Sequence, residues 1–139
     1  MTPAERKAAL ALATSALGNA PTSALEVRNL TAIDLGHGPA YIGTIFVSGA
    51  ATTHKDQHLF FIAERTNGTL RATLTSLQTT QSNPELTGTG EALVDAIDLA
   101  PNTPAVVTRI LGYDAHTFAI YTRKGTSWKT IYTGGGVAL

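Results

Sequence analysis

The chain has 139 residues, 43% of them hydrophobic, which suits one ordinary domain built around a single core. Ten basic residues balance ten acidic ones and only 14% of positions are charged, so no net field would recruit nucleic acid or an anionic membrane surface. Cysteine is absent, which excludes a disulfide framework, a thiolate metal site and a cysteine nucleophile and leaves stability to packing.

The first segment, residues 1–20, reads as an amphipathic helix. Thr2, Pro3 and Glu5 fit a capping box with proline at the first helical position, and Gly18 followed by Pro21 is a stop. Leu10, Ala13 or Thr14, and Leu17 recur at helical spacing and give one narrow apolar stripe. The basic start and alanine/leucine run superficially resemble a signal peptide, but the capping pattern favours a mature helix, so a signal peptide is expected to be absent from this chain. No apolar run approaches transmembrane length, and no membrane insertion is expected.

Beyond the helix, β-branched and aromatic residues dominate, punctuated by Gly, Asn and Pro, and the 22 threonines fit exposed strand faces. A first β unit over 24–77 holds strands near 25–34, 40–48, 57–65 and 69–77; a polar loop covers 78–90; a second unit over 91–134 holds strands near 91–99, 104–112, 117–124 and 127–133. Residues 135–139, at the end of TGGGVAL, read as a flexible tail.

The second unit repeats the first. AIDL at 32–35 returns at 96–99, PAYIGTIF at 39–46 answers PAVVTRIL at 104–111, and Phe60, Ile62 and Arg65 answer Phe118, Ile120 and Arg123, in the same order. An ancestral duplication of a four-stranded unit accounts for this better than chance. The expected fold is therefore mainly β (α+β): an N-terminal helix followed by two related four-stranded antiparallel meanders, packed as a sandwich or barrel so that each covers the apolar face of the other.

The phrase AIDLGHGPAYI resembles a worn form of the aspartate-rich signature of FG-GAP or VCBS repeats, D-L-D/N-G-D-G-x-x-E/D before a strand, in which spaced acidic oxygens bind calcium on secreted or surface proteins. The second half, with its G-Y, Y-x-R-x-G-x-x-W and G-G-G elements, also resembles the C-terminal part of uncharacterised exported bacterial proteins. That likeness implies a secreted or periplasmic bacterial protein and supplies no activity. Calcium does not carry over with the motif. Asp34 is kept in the first copy and Asp98 and Asn102 in the second, but Gly36, Gly38 and Ala100 stand where oxygen ligands are needed, and calcium takes about six to eight oxygens.

Other constellations point to chemistry more weakly. His54, Asp56 and His58 fall on one face of an extended segment, a seed for zinc. Tyr113, Asp114, His116, Tyr121, Arg123 and Trp128 concentrate aromatic and polar groups in the second unit; the rings read as cross-strand packing pairs or as a platform for a small ligand, glycan or peptide. No G-x-S-x-G elbow or other complete catalytic set is present. The sequence thus favours a non-catalytic binding or structural module with no cofactor, over a small metal-dependent or acid/base hydrolase using His and Asp in a β-sheet pocket. Exposed strand edges leave self-association open.

Overall fold

The computed structural model describes residues 1–18, 25–49, 55–81, 90–112 and 114–138. Among the described residues one helix, α1 (Pro3–Ala16), precedes eight strands: β1 (Leu25–Asp34), β2 (Pro39–Val47), β3 (Lys55–Thr66), β4 (Thr69–Gln81), β5 (Gly90–Ala100), β6 (Thr103–Leu111), β7 (Ala115–Lys124) and β8 (Ser127–Ala138). They form two antiparallel sheets, ordered β1-β2-β3-β4 and β5-β6-β7-β8, which pack as a sandwich and do not close into a barrel.

α1 starts where the sequence places it. The Thr2 hydroxyl accepts a hydrogen bond from the Glu5 amide at 3.2 Å while the Glu5 carboxylate accepts one from the Thr2 amide at 2.6 Å, satisfying two amides that the first helical turn leaves open. Its small residues Ala9 and Ala13 are fully buried, so the helix lies close against the first sheet, on Tyr41, Ile45, Leu59, Phe61 and Ala63. At 14 residues it is neither long nor apolar enough to cross a membrane.

The opposite face of the same sheet carries Ala40, Ile42, Phe60 and Ile62, and these pack on Val106, Ala119, Tyr121 and Trp128 of the second sheet. The layers therefore run helix, first sheet, second sheet. Along most of β2 and through Leu59–Ala63 of β3 consecutive residues are apolar, because both faces of this central sheet are covered.

The repeated phrases occupy equivalent hairpins. Ile33 pairs with Ala40 and Asp34 with Pro39; Ile97 pairs with Ala105 and Asp98 with Pro104. The turns between them differ. The first spans Leu35 to Gly38, with Gly36 and Gly38 at φ 97° and 84°. The second continues pairing to Ala100 and Thr103 around Pro101 and Asn102, with Asn102 itself at φ 58°. A left-handed asparagine closes the tighter turn, and this second copy dispenses with both glycines.

Two expectations are corrected. The polar residues 78–81 extend β4, since Lys55 to His58 supply backbone partners as far as Gln81 and ladder pairing needs no apolar side chain; residues 82–89 of the expected loop lie outside the described residues. The tail is not free: Gly134 pairs with Phe118 and Val137 with His116, so β8 runs through the glycines to Ala138.

Gly43 marks the tightest approach in the first sheet. A Cβ there would lie 2.8 Å from the Asn29 carbonyl oxygen and 3.1 Å from the Phe61 ring. Gly43→Ala is expected to destabilise the protein by about 1–3 kcal/mol through overpacking, measurable as a lower urea midpoint with an unchanged slope.

Candidate functional site

At the end of the sandwich formed by the turns, both copies of the repeated phrase converge on one cavity of about 550 Å³. Ile33, Asp34 and His37 line it from the first sheet; Ile97, Asp98, Asn102 and Arg123 line it from the second. A smaller recess of about 260 Å³ shares His37 and Arg123 with it and reaches Glu64 and Asn67.

The floor of this cleft is a buried polar cluster. Glu64 lies on β3 at a core-facing position, two residues after Ile62. Its carboxylate pairs with the Arg123 guanidinium, accepts the Trp128 indole N–H at 2.9 Å and accepts the Thr73 hydroxyl at 2.7 Å. Arg123 also donates from Nη1 to the Leu35 carbonyl at 3.1 Å and sits 5.0 Å from the centre of the Trp128 ring. Glu64 and Arg123 side chains are only 11% and 10% exposed, so their charges compensate each other where water does not. The guanidinium thereby fixes the first turn to the second sheet.

Asp34 is committed locally as well: its Oδ1 accepts the Gly36 amide at 2.8 Å, an Asx turn that holds His37 at the rim. Asp98 and Asn102 are exposed and face the cavity from the tighter turn.

A second polar cluster holds the middle of the interface. Glu91, buried at the start of β5, accepts the Thr108 and Tyr121 hydroxyls through one carboxylate oxygen, each at 2.6 Å, and its backbone carbonyl accepts Thr44 Oγ1 at 2.6 Å. Burial, and then the bond to Glu91, push the Tyr121 phenol well above its usual range.

The residues singled out in the sequence are divided by this arrangement. Arg123 enters the cavity wall, while Tyr121 and Trp128 are 6% and 7% exposed between the sheets, which removes both rings from any exposed platform. Asp114 and His116 stand at the start of β7, seven strand positions or roughly 24 Å from Arg123 in the case of His116. Tyr113 and His54 lie outside the described residues. Asp56 accepts the Gly49 amide at 2.8 Å and His58 is buried beside the Phe46 ring; among the described residues no three His, Asp or Glu side chains gather into a metal-binding group. Glu64 and Glu91 were missed, although Phe60, Ile62 and Glu64 keep period two and place a carboxylate in the row of core residues.

Comparison with known protein families, curated proteins and solved structures finds no match to this chain.

Burial holds the His58 imidazole below its ordinary value of 6.5, with Arg28 adding to the shift and Asp56 opposing it. On acidification the unfolded chain takes up this proton first, so the contribution of His58 is complete above about pH 6.5 and is lost as the pH falls below that value. The melting temperature is expected to drop as the pH falls below about 6.5, and His58→Leu to flatten that part of the profile.

Proposed function

We propose that this protein is a non-catalytic binding module of an exported bacterial protein, and that its ligand, a small polar molecule, glycan or peptide, sits in the cleft between the two repeated turns. The observation that carries the reading is the convergence of Asp34, His37, Asp98, Asn102 and Arg123 on one cavity whose walls also present Ile33 and Ile97. Apolar walls with a few convergent polar groups suit recognition of a ligand with both hydroxyl or amide groups and apolar surface. The strongest cation and the carboxylate beneath it are already occupied with each other, and Asp34 with its own turn, so these groups hold shape in preference to moving protons. The threonine-rich composition and the likeness to exported repeat proteins support the cellular setting. The shared order of the two sheets supports duplication of a worn FG-GAP-like unit.

One observation favours a second reading, an acid/base hydrolase: Asp34 and Asp98, from different sheets, border the same cavity.

Glycan and peptide arrays, followed by titration of hits against Trp128 fluorescence, separate the two. Arg123 lies over the only indole, so occupancy of the cleft is expected to change its emission, and Asp98→Ala with Asn102→Gly, which keeps the left-handed turn, to weaken binding at least tenfold without lowering the melting temperature. Turnover of a bound glycan or peptide that disappears in Asp98→Asn would replace the binding reading with the hydrolase.

A further inference from the structure

The two sheets are related by sequence, yet they use opposite faces to meet each other. In the first sheet Ile42, Phe60 and Ile62 point into the interface; their counterparts Val107, Phe118 and Ile120 point out of the second sheet, away from it. Conversely, Tyr41, Ile45 and Phe61, which lie under α1, correspond to Val106, Ile110 and Ala119, which face the first sheet. The units therefore stack in the same sense, front of one on back of the next. Such a stack has two unlike ends. α1 closes the first; among the described residues no helix or strand lies over the second.

That open face is apolar in its centre. Val107 pairs with Ile120, and Ile120 with Tyr132, making one row across β6, β7 and β8. Tyr132 is 48% exposed. Val107, Phe118 and Ile120 are half-buried beside it, and contiguous apolar surface on a sheet face can serve as an interaction site. Asp95 stands opposite Val107 on the β5 margin and Lys129 opposite Thr122 on the β8 margin, with Arg109 opposite Phe118 between them.

We propose that this outer face of the second sheet is a homodimer interface, joining two copies back to back around a two-fold axis that runs along the strands. Such a rotation sets the β5 margin of one copy against the β8 margin of the other, bringing Asp95 toward Lys129 of the second copy twice over. Val107 of one copy meets Ile120 of the other in the middle, and Tyr132 lies over the β5 margin beside Asp95 of the second copy. The resulting order is helix, sheet, sheet, sheet, sheet, helix, in which both end faces carry α1 and the assembly has no further place to grow. A second copy is thus the occupant that closes the stack. The inference is independent of the ligand cleft, which lies at the turn end of the sandwich.

Sedimentation equilibrium of the 139-residue chain, from micromolar to millimolar concentration, tests this. A concentration-dependent dimer is expected. Tyr132→Glu, at an exposed position that leaves the fold intact, should raise the dissociation constant at least tenfold, as should Lys129→Asp alone; Lys129→Asp combined with Asp95→Lys should restore most of the loss. A monomer throughout the range overturns the proposal. So does a dimer that is indifferent to Tyr132→Glu and is broken instead by Leu10→Lys, which would place the contact in the groove of about 650 Å³ that Leu10, Leu25 and Val27 line beside α1.

Discussion

One carboxylate organises the turn end of this molecule. Glu64 is the acidic residue that the core-facing row of β3 carries into the sandwich, and everything that reaches it comes from somewhere else in the chain: Arg123 from β7, Trp128 from β8 and Thr73 from β4. An ionised group so placed is tolerated only with a counter-charge and with its remaining lone pairs occupied, and the structure meets both conditions. Because Arg123 also holds the Leu35 carbonyl, the same pair that satisfies Glu64 fixes the distance between the two turns. The cavity lies between the turns so placed.

Apolar burial and polar fixation have different roles in the sandwich. Phe60, Ile62, Val106 and Tyr121 give the sheets a reason to pack, but such contacts are non-directional and tolerate sliding by a residue pair. Glu64 with Arg123 at one end, and Glu91 with Thr108, Tyr121 and Thr44 further along, define one relative position of the sheets. A sheet shifted by one residue would bury these carboxylates against apolar side chains. The same-sense stack thus depends on an acid that the repeat does not share: Glu64 answers Thr122 in the second unit.

Much of the fold is legible in the sequence. The capping residues of α1, the eight strands and their division into two meanders follow from local chemistry: Thr2 with Glu5, Asn67 with Gly68 at φ 52° and 79° in the β3–β4 turn, and the recurrence of AIDL. Facing was not legible, because β2, β3 and β6 are apolar at consecutive positions and alternation then carries no sign. The candidate site was half legible. Asp34, His37 and Asp98 draw attention through the repeat, yet only the sandwich brings the two copies to one cavity. Trp128 and Tyr121 read as ligand-binding aromatics because nothing local reveals that their polar tips have partners in Glu64 and Glu91, 64 and 30 residues earlier.

The central role given to the Glu64–Arg123 pair is open to a double-mutant cycle by urea unfolding with Glu64→Gln, Arg123→Met and both together. Each single variant leaves a buried group without its partner and should cost about 3 kcal/mol, whereas the double variant should cost much less than the sum, with a coupling of roughly 2 kcal/mol or more. Additive losses, or single variants within about 0.5 kcal/mol of the parent, would contradict the account that this pair holds the two sheets and their turns in place.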